Sequence, residues 1–120
     1  MFTYRASVTR IVDADTLVLD IDLGLRTWLR GKPYRLARVN APERATVEGK
    51  LATTALADLL GPLPASVIVT TIRDRHDAFD RYIVEVIRDG VNVNDWLLAN
   101  GWAVPYPARG VPPRFEGVPA

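Results

Sequence analysis

Period-two alternation in the first forty residues limits this chain more than any other feature. In "TLVLDIDL", which begins at Thr16, the side chains of Leu17, Leu19, Ile21 and Leu23 fall on one side, as in a strand with one buried face. "YRASVTRIV" before it also alternates, with Tyr4, Ala6, Val8 and Arg10 on one face and Arg5, Ser7, Thr9 and Ile11 on the other. Asp13, Ala14 and Asp15 make the turn between two adjacent strands, since Asp is a favoured turn residue. After a loop holding Gly24 and Gly31, "PYRLARV" reads as a third strand, ended by Pro42, which has no N–H to give to a ladder.

From Thr46 the period becomes helical, with Leu51, Ala52, Ala55, Leu56, Leu59 and Leu60 forming a stripe, Thr46 as N-cap and Gly61 as the stop. "SVIVTTI" and "YIVEVI" are two β-branched strands on either side of the polar stretch "RDRHDAFD". A turn at Asp89 and Gly90 follows, and Asn92 caps a short helix that Gly101 stops. This order predicts an α+β, mainly β fold. It is a five-stranded OB-type Greek-key barrel, with one amphipathic helix between strands 3 and 4 and a short helix after strand 5. Residues 1–106 form the domain. Residues 107–120, rich in proline and without periodicity, are expected to be an extended or disordered tail.

At 120 residues, 48% hydrophobic and 24% charged, the chain suits one globular domain. No stretch approaches the ~20 apolar residues that span a bilayer, so no membrane partner is expected. The start, "MFTYRASVTRIVD", has no apolar segment behind a basic one, which points to an intracellular, cytoplasmic location; a monomer is expected. Without cysteine there is no disulfide, thiol nucleophile or thiolate metal site. Any metal must be held by oxygen or by the single His76, which reads as a surface residue. Positive charge is concentrated between residues 26 and 50, where Arg26, Arg30, Lys32, Arg35, Arg38, Arg44 and Lys50 face only Glu43 and Glu48. Segregation of this kind can attract phosphate backbones.

The polar residues with chemical potential sit at strand ends. Asp13 and Asp15 flank a turn, Arg35 lies on the opposite parity from Leu36, Glu43 follows Pro42, and Arg81 opens the fifth strand. Phosphodiester hydrolysis needs these types together: carboxylate oxygens for a hard cation, guanidinium forks for phosphate, and a base for the attacking water.

Four blocks in register resemble the staphylococcal (micrococcal) nuclease, or thermonuclease-like, family. These are "VDADT", "YRLARVNAPE", "DAFDRYIVEV" and "DGVNVNDWLLANGWA", which together cover about residues 5 to 106. The resemblance implies a calcium-dependent nuclease that cleaves DNA or RNA and leaves 3′-phosphate ends. Asp15, Asn40 and the backbone carbonyl of Ala41 would hold one Ca²⁺, with Asp13 and Thr16 supporting them. Arg35 and Arg81 would hold the phosphate, and Glu43 would orient or deprotonate water. Tyr106, Lys50 and Phe79 would touch substrate. Six positions depart from the family pattern: Ala14 for Gly, Asn40 for Asp, Ala41 for Thr, Ala78 and Phe79 for a Lys-Tyr pair, and Asp80 for Gly. Asn40 keeps an oxygen but removes a formal charge, so weaker metal affinity is expected. A barrel that binds nucleic acid or protein without cutting is the other reading.

Overall fold

Leu17, Leu19 and Ile21 are buried as their alternation requires, and they line the inside of a sheet that curls back on itself. The computed structural model describes residues 2–73 and 82–106. Its long strands are β1 (Phe2–Asp13), β2 (Thr16–Gly24), β3 (Thr27–Leu36), β5 (Ala65–Arg73) and β6 (Tyr82–Arg88). Two-residue strands β4 (Val39–Asn40), β7 (Val91–Asn92) and β8 (Val104–Pro105) complete the set, with helices α1 (Val47–Leu60) and α2 (Val93–Ala99). The main sheet runs β3-β2-β1-β5-β6-β7. A parallel pairing of β3 with β6, Arg35 opposite Ile83 and Leu36 opposite Val84, joins its far strands. Among the described residues the architecture is therefore mainly β, barrel-like and antiparallel apart from that closure, with two helices.

Helix α1 begins where Thr46 accepts a hydrogen bond from Gly49 N and ends at Gly61, whose φ of 76° suits glycine. It buries Ala52, Leu56 and Leu60 against the barrel. Asn92 caps α2 by accepting from Asp95 N. Trp96 and Trp102 pack against the core, whereas Trp28 is exposed with the Arg30 guanidinium carbon 4.7 Å from its ring centroid. No helix among the described residues is long and apolar enough to cross a membrane.

Three local expectations need correction. Strict alternation in β1 put Val8 and Ile11 on opposite faces, yet both are buried. Register shifts between Val8 and Arg10, where a bulge inserts an extra residue, reconcile them. The third strand begins at Thr27 rather than after Gly31, so the expected loop is the outer half of a hairpin, paired with β2 from Gly24 opposite Thr27. That strand also breaks before Val39, because Arg38 takes a left-handed φ of 68° and β4 pairs instead with β8. Ala14, by contrast, is not among the positive-φ residues, so its lack of glycine costs the Asp13–Asp15 turn nothing.

The β2–β3 hairpin turns through Leu25 and Arg26, both left-handed at φ 53° and 60°, with Leu25 fully exposed. Two consecutive left-handed residues are the geometry for which Asn-Gly is preferred. Replacing the pair (Leu25→Asn with Arg26→Gly) is expected to stabilise the protein by about 1 kcal/mol, since each left-handed non-glycine residue costs on that order. Thermal unfolding checks it.

Candidate active site

Three segments meet near Asp15: the β1–β2 turn, the end of β3 with β4, and the stretch before α1, which reaches Asp13 through Arg44. Asp15 is buried, and its three oxygens each accept a hydrogen bond. Its carbonyl accepts from Leu36 N at 2.7 Å, Oδ1 from the Thr16 hydroxyl at 3.0 Å, and Oδ2 from Ala41 N at 2.9 Å. A buried carboxylate needs such partners to stay charged. Arg35 supplies the counter-charge, with Nη2 3.4 Å from Asp15 Oδ2.

The same Nη2 donates to Asn40 Oδ1 at 3.0 Å and to Val39 O at 3.2 Å. One cationic nitrogen thus sits among three oxygens, only one of them from a charged group. Arg35 Nε is buried with no hydrogen-bond partner among the described residues, a deficit of roughly 1–3 kcal/mol. The Tyr106 ring lies 4.6 Å from the guanidinium carbon, held there by its N–H donating to Arg38 O at 2.9 Å. Tyr106, assigned by resemblance to substrate, is here a partner of Arg35.

Asp13 supports the neighbouring corner, with Oδ1 accepting from Arg44 N at 2.9 Å. Glu43 is exposed just before that contact, and Lys50 is exposed one turn further along. No described residue pairs with the Glu43 carboxylate. The structure therefore brings together Asp15, Thr16, Arg35, Asn40, Ala41 and Tyr106, with Asp13 and Glu43 adjacent. Ala41 reaches the cluster through its N–H. Arg81, Phe79, Asp80 and His76 lie outside the described residues, as does the segment from 107.

Sequence reasoning passed over two supports. Arg38 donates from Nε and Nη2 to Glu85 at 2.9 and 2.7 Å, and from Nη2 to Asp95 at 2.6 Å. The hydrogen bonds to Glu85 and then Asp95 raise its already high pKa, so it stays charged and fixes the carbonyl that holds Tyr106. Asn94 is fully buried. Its amide accepts from Val86 N and donates to Ala37 O and Val84 O, tying α2 to β6 and to the residue after β3. A polar residue between the apolar Val93 and Leu97 was the available signal. The basic run from 26 to 50 is not one continuous patch, because Arg30, Arg35 and Arg38 are each paired with a carboxylate.

A comparison with models of known protein families finds no match. No curated protein matches the chain in sequence.

Proposed function

We propose that the chain is a nuclease hydrolysing phosphodiester bonds of DNA or RNA, with its chemistry at the Asp15, Arg35 and Glu43 cluster. The observation that carries this reading is the convergence of Asp15 Oδ2, Asn40 Oδ1 and Val39 O on the single nitrogen Arg35 Nη2. In this reading the same oxygens would take a metal cation once the Arg35 guanidinium turns to a phosphate. The strand order, with its parallel β3–β6 closure, supports reading the barrel as a five-stranded OB-type Greek key, an architecture that commonly binds oligonucleotides.

The donor set suits a hard cation, since oxygen is its preferred ligand. Among the described residues, however, no three His, Cys, Asp or Glu side chains cluster, so neutral oxygens must do much of the work. Ca²⁺ would be held by Asp15 and Asn40, with the Ala41 carbonyl added by resemblance, and when bound would neutralise charge on the phosphate. Arg35, with Arg81 by resemblance, holds the phosphate and stabilises the charge that develops on it. Glu43 takes a proton from water as the water oxygen bonds to phosphorus. The bond from phosphorus to the 5′-oxygen breaks, the departing oxygen takes a proton from solvent water while Glu43 returns its own to solvent, and a 3′-phosphate and a 5′-hydroxyl are left. The test is cleavage of single-stranded DNA across a Ca²⁺ and Mn²⁺ series, with the product ends identified. Release of 3′-phosphate ends is expected; intact DNA at millimolar metal overturns the reading.

Asn40→Asp adds a negative charge to this cluster. It is expected to tighten Ca²⁺ binding about tenfold, because added charge in a partly desolvated site attracts a divalent ion strongly. Isothermal titration calorimetry measures this directly.

One observation favours a second reading. Arg35 Nη2 already engages all three oxygens, which suits a module that binds nucleic acid or protein without cutting. Binding unchanged by a chelator, with no cleavage, would support it.

A further inference from the structure

The segment that carries Glu43 is held in an unusual way. The Glu43 carbonyl accepts two hydrogen bonds from one residue, Thr46 N at 3.0 Å and Thr46 Oγ1 at 2.7 Å. The same Thr46 hydroxyl oxygen accepts from Gly49 N at 3.0 Å, closing the first turn of α1. One hydroxyl therefore caps the helix and clasps Glu43 together. On the opposite side Arg44 N donates to Asp13 Oδ1 and Arg44 Nη1 to Ile11 O, tying the segment to the strand and turn that lead to Asp15.

Gly49 explains how closely the segment approaches the helix. A Cβ at this position would lie 1.7 Å from Glu43 O, 2.4 Å from Glu43 C and 2.9 Å from Arg44 Cα. All three are backbone atoms, so no side chain can swing aside to make room. Glycine inside a helix costs roughly 1 kcal/mol relative to alanine, and Gly49 is not among the positive-φ residues. Space, not backbone freedom, is what glycine supplies here.

We propose that Thr46 and Gly49 are positioning residues for Glu43: they fix its backbone against the start of α1 and so set its carboxylate relative to Asp15 and Arg35. This inference rests on the reading of Glu43 as the group that activates water. It makes the cap of α1 part of the site, and it links that cap to the β1–β2 turn through the peptide between Glu43 and Arg44.

The test uses the full chain with a single-stranded DNA oligonucleotide and Ca²⁺, separating kcat from KM. Gly49→Ala is expected to lower kcat at least tenfold with KM changed less than twofold. Thr46→Val, which matches threonine in size but has no hydroxyl, should lower kcat several-fold, and Thr46→Ser, which keeps the hydroxyl, should restore it to within twofold of wild type. Leu56→Val loosens the same helix away from Glu43, and should lower the melting temperature while leaving kcat intact. Should Gly49→Ala fail to fold, the two Thr46 variants decide the matter. A Thr46→Val protein with wild-type kcat, or one that Thr46→Ser does not improve upon, overturns the positioning role. If Glu43→Gln abolishes cleavage while Thr46→Val does not affect it, only the positioning falls. If wild type and Glu43→Gln are both inert, the reading of Glu43 falls and the positioning role with it.

Discussion

Replacing Asn94 with alanine is expected to destabilise the protein by about 3 kcal/mol or more, since each buried polar group left without a partner costs roughly 1–3 kcal/mol. The amide satisfies Val86 N, Ala37 O and Val84 O, and is itself wholly buried, so water cannot take its place without a cavity opening. Ala37 N still donates to Val84 O at 2.8 Å, which leaves Ala37 O and Val86 N as the groups most exposed to loss. Against a total stability of about 5–15 kcal/mol for an ordinary domain, this is a large fraction. A fall in melting temperature of roughly 10 °C should follow for a chain of this size. A shift of only a degree or two would mean that the network is not what holds α2 to the barrel. The effect should also reach the site, because Ala37 follows directly on β3 and its Arg35.

Arg35→Lys is expected to lower kcat/KM by about 10²–10³, within the range seen when a group that stabilises developing charge is removed. Lysine keeps the positive charge but loses the planar fork and the flat face that lies over Tyr106. Nor can one ammonium group reproduce the guanidinium's combination of contacts to Asn40 and Val39 with donors left for phosphate. Arg35 is about one-third exposed at its side chain, so the fold should change little by comparison with the rate. Single-turnover cleavage beside thermal melting separates the two effects. A lysine variant within threefold of wild type would show that charge alone suffices at this position.

Much of the local structure was legible in the sequence, because it depends on near neighbours. The inward row of β2, the Thr46 and Asn92 caps, the Gly61 stop and the Asp89-Gly90 turn each follow from a residue type at a fixed offset. The bulge in β1 was not legible, since alternation counts residues and cannot register one inserted against the partner strand. The outer half of β3 was hidden for a different reason. Thr27 to Lys32 is exposed and does not alternate, since Trp28 and Leu29 are adjacent, and Gly31 and Pro33 imitate a loop, whereas its backbone pairs with β2 whatever its side chains are.

The site divides along similar lines. Asp15, Asn40 and Arg35 could be named as chemically suited, but nothing in their spacing places Nη2 among three oxygens. That convergence needs the Arg38 break after β3 to turn β4 back toward Asp15. Gly49 was visible only as a poor helix residue near a cap. Its contact with Glu43 arises from the tight path between Pro42 and Thr46, which no periodicity describes.

The most direct measurement compares wild type with Glu43→Gln on one end-labelled single-stranded oligonucleotide in millimolar Ca²⁺, with oligonucleotide affinity determined for both proteins. Glutamine preserves size and hydrogen bonding but cannot take a proton from water, and loss of a general base typically costs about 10²–10⁴ in rate. The expected result is 3′-phosphate product from wild type, a rate at least 10²-fold lower for the variant, and equal affinity. Equal rates in the two proteins, or no product from either, would contradict a hydrolytic site built around Asp15, Arg35 and Glu43.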